Sequence, residues 1–491
     1  MIVPASHRRP VTMGAVWLAL PALLALVHVS LDADHPVDFW LHANTGRLIW
    51  ETGTLAERDP FTCTIAGSEV VNQNWLAELA TYLLYRAGGF DLCQFVAGVC
   101  YAAAIGLMVR LCRLRSSDDY AAAFAGLAGL ALAISNFGVR PQAISAVFFA
   151  CELYVLWQWP GRARAVAAVA IIEVLWTNMH GAFALGVVLP GIFLCGAILE
   201  RIVEQIGGRP WRSWLAEGVV PCYLACTLVA AATMFANPQP SRTLDYVLNT
   251  SSKSAVRGIL EWLPTSFGTF TGDVYFASIA GLVVLLGLSR RRLKPVELLL
   301  LVAFLLLAGQ AQRMVIWWAL VAPPIASPLI AALLPKSSRN AAPRPIVAVL
   351  LAVALGTLPW TRELNPLLPE SKRRPSGIHE PAGAVAFLRD AEFRGNVFAP
   401  VSWGAYLTWF LYPDVKVFND SRIESFPDEV WNDYLQIGAA EGDWQAALDK
   451  YGIERVVWCD RLSVSLLEAL RSSPRWRQVF EDAHCVVFER R

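Results

Sequence analysis

Charged residues are scarce in this chain of 491 residues. Asp, Glu, Lys and Arg make up 16% of it, whereas soluble domains carry about 25%. The formal net charge is +1, so the basic surface typical of nucleic-acid-binding proteins is missing, and nucleic acid is not an expected partner. Hydrophobic residues make up 56% of the chain, and this excess predicts a polytopic α-helical membrane protein.

Several catalytic motifs are also missing. The chain contains no P-loop, no dinucleotide-binding glycine motif and no His-Glu-x-x-His zinc motif. The nearest approach to a nucleophile elbow is residues 400–404, where Pro400 stands in place of the leading glycine. These absences argue against a soluble-type ATPase, dehydrogenase or serine hydrolase.

The cysteines do not form a metal-binding pattern. Most of the 10 cysteines lie in apolar segments, where a thiol behaves as a small hydrophobe. Cys222 and Cys226 are one helical turn apart, but no His or further Cys is near enough to complete a zinc site. Cys459 and Cys485 are the only pair near the C-terminus, and they could form a disulfide if that region lies outside the cytoplasm.

Apolar segments that are long enough, or nearly long enough, to cross a bilayer recur along the first 360 residues. They cover 12–31, 90–112, 119–137, 142–159, 161–178, 182–199, 218–236, 273–288, 295–311, 314–334 and 345–359. We expect about eleven transmembrane helices, within a range of roughly nine to twelve because some segments are short. The first segment is followed by no small-residue cleavage site, so we interpret it as an uncleaved helix.

The distribution of basic residues predicts the orientation. With the N-terminus in the cytoplasm, most Lys and Arg of the transmembrane part fall in cytoplasmic loops, as the positive-inside rule requires. The longer outer loops, 32–89 and 237–272, hold few of them. An odd number of spans then places the C-terminal region outside the cytoplasm.

The first outer loop and the C-terminal region have their own predicted structure. Residues 38–52 and 74–86 are amphipathic and predict two interfacial helices, which end at Gly53 and at Gly88-Gly89. Past residue 375 the long apolar runs stop. Strands are predicted at 396–399, 415–419, 454–458 and 485–489, and helices at 380–391, 427–438, 442–451 and 463–472. The chain is therefore divided into a transmembrane domain, 1–375, and a small α/β domain, 376–491.

Unusual polar residues gather at the outer ends of the predicted spans. Asp34, Asp38 and His42 follow the first span, and one helical turn separates Asp38 from His42. A carboxylate there could act as a general base, or it could help to hold a divalent cation, Mg²⁺ or Mn²⁺. N-capping of the interfacial helix is the structural alternative, but it accounts for one acid of the two.

Further candidate residues lie at the same ends of the spans. They are Asp59, Glu78, Arg140, His180, Glu261 and Arg313. The guanidinium fork of either arginine suits a phosphate group, although snorkelling to the interface is an alternative. The acids and the histidine could equally be turn, helix-surface or loop residues. Ionisable residues near hydrocarbon are costly, and this favours a functional site.

Motifs along most of the chain carry a family resemblance. They are Asp38-Phe-Trp-Leu-His42-Ala-Asn-Thr-Gly46, Asp59-Pro-Phe-Thr, Asn74-Trp-Leu-Ala-Glu78, Val139-Arg-Pro-Gln142, Asn178-Met-His-Gly181, Asn237-Pro238, Glu261-Trp262, Gly404-Ala-Tyr406 and Phe418-Asn-Asp-Ser-Arg422. With an acid after the first span and two interfacial helices, this layout resembles the glycosyltransferase C superfamily. Its members include oligosaccharyltransferases, protein O-mannosyltransferases and lipid A aminoarabinose transferases. The chain more closely resembles a bacterial group of glycosyltransferase-like polytopic proteins.

The resemblance implies an inverting glycosyltransferase of the bacterial inner membrane that uses a polyprenyl-phosphate-linked sugar. Asp38, or Asp34 in its place, would deprotonate or orient the acceptor on the outer face. The implied substrate-binding residues are His42, Asp59, Glu78, Arg140, His180, Glu261 and Arg313. The chain lacks the Asp-Glu pair of the mannosyltransferases and the Trp-Trp-Asp sequence of the oligosaccharyltransferases, so N-glycosylation of the usual type is not expected.

Two other functions fit the same layout. A non-catalytic assembly subunit would keep the scaffold and bind a protein partner through the C-terminal region. A transporter of lipid-linked glycans would place its charged residues near the middle of the membrane, on broken helices. The polar residues gather at one end of the spans instead, and this favours the transferase.

Overall fold

The computed structural model describes residues 11–32, 35–206, 218–240, 242, 257, 259–335, 341–373, 380–459 and 463–491. The candidate residue Asp34 and much of the predicted loop 237–272 lie outside this described part. The described residues form two compact units. The first comprises the described parts of Met1–Asp32, Asp91–Pro240 and Ala255–Arg373, and the second those of Ala33–Phe90, Ser241–Ser254 and Arg374–Arg491.

Each predicted apolar segment coincides with a helix. In chain order the helices are α1 (Met13–Ser30), α2 (Phe39–Thr52), α3 (Trp75–Ser116), α4 (Asp119–Ala133), α5 (Gln142–Gln158), α6 (Ala163–Met179), α7 (Ala184–Ile206), α8 (Val219–Thr233), α9 (Phe270–Leu288), α10 (Pro295–Gln310), α11 (Val315–Leu333) and α12 (Arg344–Gly356). Among the described residues, 5 helical stretches are long and apolar enough to cross a membrane. A count of about eleven spans stays a prediction.

The helices of the first unit approach one another at small residues. A Cβ atom added to Gly129 of α4 would lie 2.9 Å from the carbonyl oxygen of Ala319 on α11. A Cβ atom added to Gly196 of α7 would lie 2.7 Å from the Cα atom of Val296 on α10. Such backbone contact is typical of helices that pack in an apolar medium, where close approach replaces the hydrophobic effect.

One buried acid in the first unit has several partners of opposite charge. Glu297 is fully buried, and its carboxylate accepts hydrogen bonds from Arg115, from Arg291 at 2.9 Å and from the backbone N–H of Lys294 at 2.8 Å. An ion without such partners would cost several kcal/mol to remove from water. These bonds therefore satisfy a charge that the apolar helices cannot solvate.

The second unit contains a mixed sheet in its described part. The strands are β1 (Gly395–Phe398), β2 (Val415–Val417), β3 (Ile453–Trp458), β4 (Trp476–Glu481) and β5 (Val486–Arg490), in the spatial order β2-β1-β3-β5-β4. β1 is parallel to β2 and β3, whereas β5 is antiparallel to β3 and β4. The accompanying helices are α13 (Ala382–Asp390), α14 (Val401–Leu411), α15 (Asp428–Ala439), α16 (Trp444–Lys450) and α17 (Val464–Ser472).

The small C-terminal sheet confirms the predicted mixture of strands and helices. All predicted elements are present, and the structure adds α14 and β4. The sequence analysis missed α14 because its apolar residues cover every face and show no helical period. Trp403 and Tyr406 of α14 and Trp444 of α16 are buried, so these aromatic side chains belong to the core.

The first loop is part of the second unit. The ring of Trp40 on α2 lies 5.5 Å from the rings of Tyr406 and Trp409 on α14. Asn44 donates a hydrogen bond to the carbonyl oxygen of Ala405 at 2.8 Å. Residues 61–63 pair with β2, because the backbone N–H of Cys63 donates to the carbonyl oxygen of Val417 at 2.9 Å. Segments more than 300 residues apart in sequence thus share one core.

A buried ionic cluster joins these two segments. The Nη2 atom of Arg422 lies 2.6 Å from Asp59 and 2.5 Å from Asp420, and both carboxylates are almost completely buried. Thr62 donates two further hydrogen bonds to Asp59, from its backbone N–H at 2.9 Å and its hydroxyl at 2.6 Å. Burial alone would lower the pKa of Arg422, but Asp420 and Asp59 outweigh it and raise the pKa, so the guanidinium stays charged.

Removing the guanidinium should destabilise the second unit. Arg422→Met leaves Asp59 and Asp420 buried without a counter-charge, and we expect a loss of about 3–5 kcal/mol. The measurement is chemical unfolding of the purified protein in detergent, followed by the fluorescence of tryptophans in this unit. The control is Arg394→Met, since Arg394 pairs with Asp414 on the surface and an exposed pair contributes little. Equal effects of the two substitutions would contradict the prediction.

Candidate functional site

Three predicted site residues lie together in the second unit. The Nδ1 atom of His42 is 3.3 Å from Oε1 of Glu78, and its Nε2 atom is 3.9 Å from Oδ2 of Asp38. His42 and Glu78 are buried, whereas 31% of the Asp38 side chain is exposed. Asp38 occupies the N-cap position of α2 without a side-chain capping bond to that described helix. Capping therefore does not account for its carboxylate.

Close packing of two helices sets this geometry. Gly46, one turn after His42 on α2, touches α3 at Glu78, and a Cβ atom there would lie 2.0 Å from the carbonyl oxygen of Glu78. The approach brings the Glu78 carboxylate to the imidazole. A carboxylate that accepts the Nδ1 hydrogen fixes the tautomer and leaves Nε2 to accept a proton on the side of Asp38.

The described residues of this cluster offer few ligands for a divalent cation. Mg²⁺ is held by several oxygen ligands in octahedral geometry. Asp38 and His42 supply two donor groups, and the described residues contain no cluster of three or more His, Cys, Asp or Glu arranged to hold a metal. These residues alone do not fit such an ion.

Three further predicted residues form a cluster in the first unit. Glu261 bridges two arginines: its Oε2 atom is 2.9 Å from Arg140, and its Oε1 atom is 3.1 Å from Arg313. The guanidinium of Arg313 also stacks on the ring of Trp262 at 4.4 Å. The three charged side chains are 19–37% exposed. Two guanidinium groups thus contact one carboxylate, and guanidinium groups are well suited to bind an anion.

Loop contacts between the helices position this cluster. Arg140 directly precedes Pro141 and the start of α5, and Arg313 lies in the turn Gln312–Met314 between α10 and α11. Glu261 lies in the turn Leu260–Trp262. This turn is joined to the turn that carries Arg313, because the backbone N–H of Gln312 donates to the carbonyl oxygen of Leu263 at 3.1 Å. The cluster therefore lies at one end of these helices.

His180 lies at the same end of α5. Its Nδ1 atom is 2.9 Å from the hydroxyl of Ser145, which is in the first turn of α5, and it accepts a hydrogen bond from the backbone N–H of Ala182 at 3.3 Å. Trp176 donates to the same hydroxyl at 2.7 Å. Because Nδ1 accepts, Nε2 carries the hydrogen in the neutral imidazole.

The structure thus sorts the predicted residues into separate clusters. Asp38, His42 and Glu78 belong to one cluster, Arg140, Glu261 and Arg313 to another, and Asp59 to the buried group around Arg422. That they all line one outward pocket stays a prediction.

Sequence analysis missed two polar residues near Trp40. Glu380 accepts hydrogen bonds from Trp40 at 2.6 Å and from His35 at 2.7 Å. His35 lies between the candidate acids Asp34 and Asp38, so the sequence offered a signal for it. Nothing in the sequence connects Glu380 with the first loop. Only the tertiary structure therefore reveals that Glu380 is a neighbour of Trp40.

Two solved structures are similar to this fold. The apo oligosaccharyltransferase from Archaeoglobus fulgidus has a TM-score of 0.54 at 13% identity, over 89% of this chain and 69% of that one. The mycobacterial arabinofuranosyltransferase AftD has a TM-score of 0.53 at 15% identity, over 96% of this chain and 41% of that one. No protein-family model matches this chain, and no curated protein matches its sequence. These likenesses show that the chain shares the fold of these two membrane glycosyltransferases.

The contact at Gly46 provides a test of the Asp38–His42–Glu78 cluster. Gly46→Ala places a methyl group against the backbone at Glu78, so the two helices must separate, and we expect a stability loss of about 1–3 kcal/mol. The measurement is unfolding of the purified protein. Gly438→Ala is the matched control, because a Cβ atom there would be in ordinary contact with Trp458, 3.6 Å away, and alanine favours a helix. A Gly46→Ala protein as stable as the control would contradict the close packing.

Proposed function

We propose that the chain is an inverting glycosyltransferase that moves a sugar from a polyprenyl-phosphate donor to an acceptor. We further propose that it acts on the extracytoplasmic face of the bacterial inner membrane, with the N-terminus in the cytoplasm. One observation carries the proposal: on a glycosyltransferase-like scaffold, a partly exposed carboxylate, Asp38, stands beside an imidazole that a second acid, Glu78, orients. Such an arrangement suits proton removal from an acceptor.

The proposed chemistry at Asp38 is general-base catalysis. The carboxylate accepts the proton of an acceptor hydroxyl or amine while the acceptor oxygen or nitrogen attacks the anomeric carbon. A new bond to the sugar forms on one face, and the bond from the anomeric carbon to the phosphate oxygen breaks on the opposite face. The leaving phosphate takes the bonding electrons, and the configuration of the sugar inverts. His42 receives the proton or steadies the charge of Asp38.

The proposed role of the arginine cluster is to bind the donor phosphate. Negative charge grows on the phosphate as its bond to the sugar breaks, and fixed guanidinium groups stabilise that charge. Glu261 holds Arg140 and Arg313 in place before the donor arrives, and Trp262 supports Arg313 from one face. His180 would donate from Nε2 to the phosphate or the sugar.

The remaining candidates have weaker geometric support. Asp59 is buried against Arg422 and Thr62, so we assign it a positioning role for the first loop, and a contact with substrate stays a prediction. Asp34 stays a prediction as an alternative base. A protein partner of the second unit is a further prediction, and it belongs to the assembly-subunit alternative.

The role of Asp38 can be tested by transfer assays. Purified protein in proteoliposomes is supplied with a panel of labelled polyprenyl-phosphate sugars and an acceptor extract from cells that lack the chain. Asp38→Asn keeps the shape and removes the base, so transfer should fall by about 10²–10⁴-fold. The control is Asp118→Asn, because Asp118 caps α4 through the backbone N–H of Ala121 at 2.8 Å.

The outcomes separate the proposed transferase from the assembly subunit. If deletion of the chain alters the glycans of the cell while Asp38→Asn and Asp38→Ala restore them fully, the chain supports assembly and does not catalyse transfer. Lost transfer in both Asp38 variants, with the Asp118 control active, supports the transferase.

The phosphate role of Arg313 leads to a separate prediction. Arg313→Gln removes one guanidinium and leaves Arg140 paired with Glu261, so the KM for the donor should rise by roughly 10–100-fold, the equivalent of one charge-assisted hydrogen bond. Arg313→Lys should recover only part of the loss, since an ammonium cannot form the bidentate fork. Binding of polyprenyl phosphate, followed as a thermal shift, is the second measurement. Unchanged donor binding in Arg313→Gln would refute the role.

A further inference from the structure

Two carboxyl groups lie in the interior of the first unit without a counter-charge among the described residues. Glu152 is on α5 and Glu173 is on α6, and both are 0% exposed. The two side chains interact directly with each other. Within the described part of the chain, all four of their carboxyl oxygens are buried and accept no hydrogen bond from a donor. The pair is not among the predicted site residues, and the proposed transfer does not use it.

The helices around the pair offer no positive charge to it. On α7, Gly186 packs directly against Glu173, where a Cβ atom would lie 1.6 Å from Oε1 of the carboxyl group. On α8, the thiol of Cys226 interacts with Glu152. Helix α11 also packs on α5, and its sequence has no titratable side chain.

The charged residues on these helices have other partners. Toward the end of α7, Arg201 pairs with Glu204 at 2.7 Å and Glu200 with Lys294 at 3.6 Å. At the start of α6, Arg164 stacks on the ring of Trp159 at 4.3 Å. Among the described residues, a cation that could neutralise Glu152 or Glu173 is therefore not in contact with them.

Glu297 shows what burial of an ionised acid requires in this unit. It is as deeply buried as the pair, but its carboxylate is bound by two arginines and a backbone N–H. Glu152 and Glu173 have none of these donors. Two neighbouring carboxylates repel each other, and a buried carboxylate without a donor takes up a proton in place of its charge.

We infer that Glu152 and Glu173 form a proton-binding site in which a proton from water occupies the pair at neutral pH. The protonated carboxylic acid donates an O–H···O hydrogen bond to the other carboxyl group. Its O–H is the donor that the surrounding helices lack. The proton holds α5 against α6, because its loss would set two negative charges against each other. This site is independent of the proposed sugar transfer.

The pair lies on two helices that have candidate site residues next to their ends. α5 begins two residues after Arg140, and α6 ends one residue before His180. The two helices that the proton holds together therefore carry these candidate residues at their ends.

Infrared difference spectroscopy of the purified protein tests the inference. The spectrum of the wild type minus that of the Glu152→Gln/Glu173→Gln variant, at neutral pH, should show the carbonyl band of a protonated carboxylic acid. The neutral amides are close in shape, so this variant should fold. The control is Glu297→Gln, which should remove a carboxylate band and leave the protonated band unchanged.

Chemical labelling locates the proton. Dicyclohexylcarbodiimide adds to protonated carboxyl groups in apolar surroundings, and mass spectrometry should find the adduct on Glu152 or Glu173 and not on Glu297. A difference spectrum with carboxylate bands alone would overturn the inference. A protonated band that appears only after sodium ions are removed would also overturn it, because the pair would then bind a monovalent cation.

Discussion

An ionised side chain that has lost its water needs a counter-charge, and this requirement organises the polar residues of both units. In the second unit it places Arg422 between Asp59 and Asp420, and so ties the first loop to the C-terminal region. In the first unit it surrounds Glu297 with arginine and backbone donors. These clusters are closed, because their carboxylates are almost completely buried against their partners.

The candidate site clusters differ because each contains charged side chains that are partly exposed. Arg140 and Arg313 contact the carboxylate of Glu261, and all three side chains are partly exposed. Asp38 is partly exposed and faces an imidazole that another acid already orients. Exposure therefore separates charged residues that can meet a ligand from charged residues that only stabilise the fold.

Much of the fold could be predicted because it depends on local chemistry. Long apolar runs become helices since a helix satisfies its own backbone hydrogen bonds, and Gly88 and Gly89 interrupt α3 where the sequence analysis ends an interfacial helix. The site was predicted in part: the spacing of Asp38 and His42 was enough to place them together on one helix. Their contact with Glu78 could not be derived, because it depends on the approach of α2 to α3 at Gly46.

The sequence alone determined that the chain is a helical membrane protein with a small C-terminal sheet, because hydrophobicity, periodicity and turn residues act over a few neighbours. Only the tertiary structure decided which distant segments share a core, such as α2 with α14, and which charges meet, such as Glu261 with two arginines and Glu152 with Glu173. Such pairings depend on burial and on distances between helices, and no short stretch of sequence records either quantity.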